Sequence, residues 1–78
     1  MTIDHESGEP VYMQVVAFIR NRITTGIITG RVPSARTLTQ EFGISHVTAE
    51  KALDVLRREG LIHAVIGKGF YVTKRDDV

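Results

Sequence analysis

The run from residue 33 to residue 72 constrains the fold more than any other part of the chain. It opens with Pro33-Ser34-Ala35-Arg36-Thr37-Leu38 and passes through Phe42-Gly43-Ile44-Ser45 into a second helical pattern. It ends at Gly60-Leu61-Ile62, followed by Gly67-Lys68-Gly69-Phe70-Tyr71-Val72. Ser34 follows a proline and precedes a helical pattern, so its side chain is suited to cap the free amides of a helix running to about Phe42. Leu38 and Phe42, four apart, face inward on that helix. Gly43 stands where a helix end needs a left-handed residue. Ile44 plugs the turn, and Ser45 caps the next helix. Ala49, Ala52, Leu53 and Leu56 then follow at i, i+3, i+4 and i+7, a single apolar stripe, and Gly60 ends it. Residues 61–65 and 70–73 are β-prone runs separated by Ile66-Gly67-Lys68-Gly69, which predicts a hairpin with a lysine at its tip.

Upstream, residues 1–9 are polar, contain Gly8 and stop at Pro10, and read as a loose acidic arm. From Pro10, Val11, Val15, Ile19 and Ile23 recur at helical spacing with Tyr12 and Val16 beside them. The spacing predicts an amphipathic helix of about four turns, with Pro10 in its first turn. Arg20 and Arg22 lie near the C-terminal end, where the helix dipole favours cations. Thr24-Thr25-Gly26 ends it. The connector over residues 26–33 carries Gly26, Gly30 and Pro33 around Ile27, Ile28 and Val32, with a short strand near Arg31-Val32. The expected class is therefore α+β: a winged helix-turn-helix, three helices followed by a two-stranded β-hairpin wing. Residues 10–75 form the domain, 1–9 the arm and 76–78 an acidic tail. A chain of 78 residues buries one core and no more.

The net charge of +1 hides an uneven distribution. Asp4, Glu6 and Glu9 precede Pro10, and Asp76 and Asp77 lie at the other end. Between 10 and 75, ten Lys and Arg face only Glu41, Glu50, Asp54 and Glu59, an excess of +6. A basic body with acidic ends suits a polyanion partner. With no cysteine, neither disulfides nor thiolate metal sites contribute. No apolar run approaches the roughly 20 residues that span a bilayer, and the acidic start is unlike a secretory signal. A soluble cytoplasmic protein is the expectation. His5, His46 and His63 are scattered without metal-ligand spacing, and no nucleophile–base pair is apparent. Gly67-Lys68-Gly69 looks like a fragment of a phosphate loop, but it opens a strand and not a helix. Neither catalysis, a cofactor nor a metal is expected.

The helix from Ser45 exposes His46, Val47, Glu50, Lys51 and Asp54 opposite its apolar stripe. An α-helix fits the major groove of DNA, and residues near its N-terminus reach base edges. Thr48 and Lys51 suit phosphates, and His46 can donate to guanine or phosphate. Val47 can pack on a thymine methyl, or is a solitary surface valine. Glu50 can accept from cytosine N4, or belongs to a solvated face with Lys51 or Asp54. Arg36 sits in a first turn, where the dipole disfavours a cation. A phosphate compensates for that, or else a surface pair with Glu41 or the C-terminal acids. Lys68, between two glycines, can reach a phosphate or an A·T minor groove, or is a solubilising tip. Ser34 and Ser45 at the helix starts, and Gly67 and Gly69 with their closely approachable backbone, complete the candidate DNA-binding set.

These residues, in this order, resemble the N-terminal DNA-binding domain of GntR-family bacterial transcription regulators. The resemblance covers about residues 10–73 and rests on Pro10-Val11-Tyr12, Gly26, Pro33-Ser34 with Arg36 and Leu38, Gly43-Ile44-Ser45, Thr48, Ala52-Leu53, Leu56, Glu59-Gly60-Leu61-Ile62 and Gly67-Lys68-Gly69-Phe70-Tyr71-Val72. It implies a winged helix that binds a palindromic double-stranded operator as a repressor, usually as a two-fold dimer; with its apolar residues used in one core, this chain is expected to form only a weak homodimer, on DNA. It also implies that Arg36 opens the reading unit, that Thr48 contacts phosphate and that the Gly67-Lys68-Gly69 turn enters the minor groove. The chain departs from the family at several positions. His46 and Glu50 stand where arginines are usual, Ala35 where glutamate is usual, and the connector after Gly26 is about two residues short. The family's C-terminal effector or dimerisation domain has no counterpart, so no small-molecule effector site is expected here. The chain is then an excised domain, or a minimal regulator that senses no small molecule itself. His46 and Glu50 also support a rival reading, a winged-helix protein-interaction module with weak or no DNA binding.

Overall fold

The computed structural model describes residues 10–73; the expected arm, the last two residues of the expected domain (74–75) and the expected tail (76–78) lie outside the described residues. Three helices, α1 (Val11–Thr24), α2 (Ala35–Phe42) and α3 (His46–Arg58), precede an antiparallel pair, β1 (Ile62–Val65) and β2 (Gly69–Val72). This is the expected α+β winged helix-turn-helix.

Local chemistry sets most of the boundaries. Pro10 is the N-cap of α1, one position outside the helix, and its carbonyl accepts from the Met13 and Gln14 amides. The Ser34 Oγ accepts from the Thr37 amide at 3.2 Å, and the Ser45 Oγ from the Thr48 amide at 3.1 Å. Each thereby satisfies an amide that has no partner within its helix. Gly43 ends α2 in the left-handed region, at φ +63°, with its amide bonded to the Thr39 carbonyl.

The core lies between α1 and α3, with α2 closing one side. It holds Val15, Val16 and Ile19 from α1, Leu38 from α2, Ile44 from the turn, and Ala49, Ala52, Leu53 and Leu56 from α3, joined by Val32 and Ile62. Val11 and Val72 are half-buried and pack against this cluster. Gln14 on α1 is buried, a polar position that the periodicity does not reveal. Phe18 meets Phe42 edge to face at 5.2 Å between ring centroids, and the Arg22 guanidinium sits 4.4 Å from the Phe18 centroid. Arg20 makes a two-point ion pair with Glu59, the C-cap of α3. That pair raises the guanidinium pKa, chiefly through the hydrogen bond to Glu59, against an opposing effect of burial, with a lesser contribution from the Glu59 charge.

The wing is anchored on both edges of β2. On one side Ile62 faces Val72 and Val65 faces Gly69. On the other, the Val32 amide donates to the Phe70 carbonyl at 2.9 Å, the Val72 amide to the Gly30 carbonyl at 2.8 Å, and Arg31 bridges to Tyr71. The strand expected near Arg31-Val32 is thus a single bridge. No helix among the described residues is long and apolar enough to cross a membrane.

Candidate nucleic-acid interface

The candidate residues fall on three elements: Ser34 and Arg36 at the start of α2, residues 45–51 at the start of α3, and residues 67–69 at the wing turn. The packing of α2 and β1 on α3 holds these elements together. Neither α2 nor α3 has an acidic residue in its first turn, so the positive ends of both helix dipoles are not neutralised there.

On α3 the buried stripe leaves His46, Val47, Glu50 and Lys51 exposed. Val47 is 73% exposed, a large apolar side chain with no packing partner in the core. His46 Nε2 lies 3.3 Å from a Glu50 carboxylate oxygen across one helical turn, both side chains being more than 60% exposed. Glu50 therefore pairs with His46, and not with Lys51 or Asp54. The Lys51 ammonium lies 4.2 Å from the centroid of the Tyr12 ring, which fixes it at the seam between α3 and the first turn of α1. Asp54 turns away from this group to bridge Arg57 at 2.7 Å and Arg58 at 2.9 Å. The Arg57 hydrogen bond, helped by the charges of both arginines, holds its carboxyl below the usual range.

The Ser45 hydroxyl donates to the Thr48 Oγ1 at 2.8 Å while accepting from the Thr48 amide. Thr48 thereby keeps its own hydroxyl proton for an outside acceptor. The corresponding Ser34 and Thr37 oxygens lie 3.1 Å apart. Arg36 is exposed in the first turn of α2 and pairs with neither Glu41 nor any other group among the described residues. Its expected alternative, the C-terminal acids, lies outside them.

At the wing, the Lys68 amide donates to the Val65 carbonyl at 3.0 Å and closes a four-residue turn. Gly67 at its third position has φ +78°, and Gly69 beyond it has φ +102°. No atom comes within 4 Å of where a Cβ would sit on either, so backbone conformation and not crowding requires glycine. Lys68 is exposed, and Ile66 beside it is 100% exposed. An open groove of about 500 Å³ runs under the turn, lined by Thr29, Gly30, His63, Val65, Lys68, Tyr71 and Val72. Sequence reasoning passes over Tyr12 beneath Lys51 and over Ile66. A β-branched residue at the second position of a glycine turn was the available signal for the latter.

The chain matches the model of bacterial regulatory proteins of the gntR family over residues 11–72. It is 34% identical over 76 residues to the HTH-type transcriptional repressor NagR of Bacillus subtilis, covering 95% of this chain and 31% of that repressor. The chain thus spans about a third of NagR's length. Among solved structures it is similar to YtrA from Sulfolobus acidocaldarius, a GntR-family transcription factor, with a TM-score of 0.85 at 32% identity over 95% of this chain and 80% of that one. It is also similar to AraR(DBD) in complex with operator ORE1, with a TM-score of 0.80 at 35% identity over 90% of this chain and 88% of that one.

Proposed function

The chain belongs to the GntR family of bacterial regulatory proteins, and on that premise we propose that it is the operator-reading unit of a transcription repressor. The observation that carries the reading is the two-sided character of α3. One face, Ala49, Ala52, Leu53 and Leu56, is buried. The other offers His46, Val47, Glu50 and Lys51 beside a helix N-terminus with no acidic residue in its first turn. In this reading α3 lies in the major groove, with His46, Val47 and Glu50 at base edges and Thr48 and Lys51 at phosphates. Arg36, the Ser34 hydroxyl and the amides of Ser34 and Ser45 hold the backbone, and the turn at Gly67, Lys68 and Gly69 enters the minor groove. The likeness to AraR(DBD) bound to its operators supports this arrangement. The reading entails a cytoplasmic protein.

The operator is palindromic and two copies occupy it. Free of DNA the domain is a monomer at micromolar concentration, because nearly all the large apolar residues of the three helices, Val47 apart, are spent in one core and an obligate interface needs more than about 1,000 Å². DNA brings two copies together at high effective concentration. Sedimentation of the free protein, with titration of full and half sites, tests this part; a stable dimer without DNA contradicts it.

Selection from a random duplex pool, followed by a salt titration on the winning sequence, tests the function itself. A two-fold motif and a steep negative salt slope are expected. A second reading, an interaction module, draws on the His46–Glu50 pair, which leaves no net cation at two positions where the family usually carries arginine. Under that reading the pool yields no motif and the slope is shallow.

A further inference from the structure

The wing tip carries an apolar side chain that the fold does not use. Ile66 is wholly exposed, the most exposed large hydrophobic residue among those described, whereas Ile62 on the same hairpin is buried and Phe70 and Val72 pack against the core. The turn explains where Ile66 points. Lys68 N–H to Val65 carbonyl closes the turn, and the positive φ of Gly67 marks its third position. Ile66 is therefore the second, corner residue, at the outermost point of the hairpin. Nothing in such a turn calls for a β-branched residue there; proline is the locally favoured choice. A fully hydrated isoleucine at a protruding tip gains only by being covered.

Resting on the DNA-reading proposal above, we propose that Ile66 is an apolar wedge that enters a base step from the minor groove and partly unstacks it. The tip fits that ligand on three grounds. It is narrow, a single side chain at a turn corner with glycine following it. It sets a cation, Lys68, two residues from the apolar group, matching a groove whose walls are anionic and whose stacked base steps admit an apolar wedge. It stands on a rigid stem, with β2 held along both edges. One exposed isoleucine between half-buried Val65 and Gly67 is too small a patch for a protein interface. The ligand class is duplex DNA with an easily unstacked pyrimidine–purine step, TA or CA/TG, at the wing position.

The test uses the selected duplex with 2-aminopurine placed in turn at each step flanking the half-site. Wild-type protein should raise the fluorescence of one step. Ile66→Ala should abolish that rise, weaken binding about tenfold and leave the salt slope unchanged, while Ile66→Phe should retain the rise. Lys68→Ala should flatten the salt slope and keep the rise. Circular dichroism and melting of each variant check that the hairpin persists, since Ile66 packs on nothing. Wild-type binding with a steep slope, but with every step silent or with Ile66→Ala equal to wild type, overturns the wedge and leaves the DNA reading standing. Absence of wild-type binding to any duplex overturns both.

Discussion

Glu50→Arg should turn a repelling contact on α3 into an attracting one. The carboxylate is exposed and held by one partner, His46 at 3.3 Å. An exposed i, i+4 pair of this kind contributes about 0.3–0.5 kcal/mol, so losing it should barely move the melting temperature. The effect on DNA is larger. At a separation of about 7 Å in water one unit charge against a phosphate is worth roughly 0.6 kcal/mol. The two-unit swing is then about 1.2 kcal/mol, or roughly eightfold in affinity at low salt. A new phosphate contact adds about 0.9 to the salt slope, so the gain shrinks about 3.5-fold between roughly 50 and 200 mM salt, to about twofold. Glu50→Gln removes the repulsion alone and should give about a threefold gain with little change of slope. Fluorescence anisotropy with a duplex lacking the operator, at both salt concentrations, reads all of these. Equal affinity of Glu50→Arg and wild type at low salt would show that Glu50 does not face DNA, and the placement of α3 would be refuted.

Arg36→Ala should weaken binding to all sequences alike and reduce the salt slope by about 0.9 if, as proposed, this unpaired first-turn cation meets the DNA backbone; a sequence-dependent loss at constant slope contradicts this. Gly43→Ala should cost about 1 kcal/mol and lower the melting temperature by roughly 4–8 °C, from strain at φ +63° and not from a clash, since the Cβ would meet nothing within 4 Å. Gly43→Asn should lose less, and an unchanged melting temperature in the alanine variant would remove the left-handed cap from the reasoning. Asp54→Asn should destabilise the domain at neutral pH. The folded carboxyl titrates below its ordinary 3.8, so its contribution is present above that pH and is lost as pH falls through the lower folded value. The melting difference from wild type should close on acidification, and a difference constant with pH would deny the arginine bridges.

What the sequence makes legible is what is encoded within a turn or two of itself. Ser34, Gly43, Ser45 and Gly60 act through backbone groups no more than four or five residues away, and the helix limits they imply match the structure to within a residue. The α3 stripe is legible for the same reason, because 3.6-residue periodicity depends only on local geometry. Partnerships across the fold are not encoded that way. Arg20 looks like a cation placed for the helix dipole, but the approach of α1 to the end of α3 gives it Glu59. Lys51 looks like a free surface cation, and only the packing of α1 on α3 reveals the Tyr12 ring beneath its ammonium. Arg31 bridges to Tyr71 only once the connector lies along the wing. The His46–Glu50 pair, by contrast, has the four-residue spacing that helices favour. It was readable, yet Glu50 also has charged neighbours at Lys51 and Asp54, and only the side-chain geometry decides among the three. At Ile66 the turn sequence predicts the corner, while full exposure emerges only when the hairpin is seen to project from the core.

Dimethyl sulfate footprinting of the selected operator tests the central claim most directly, because it reads both grooves in one experiment. Guanine N7 lies in the major groove and adenine N3 in the minor groove. With α3 in one and the wing in the other, each half-site should show protected guanine N7 positions and, displaced to one side, altered adenine N3 reactivity. The adenine signal should disappear in a Gly67→Val, Gly69→Val variant while the guanine protection persists. Protection confined to adenine N3, or a bound complex with neither groove protected, would contradict the placement of α3 as the helix that reads DNA.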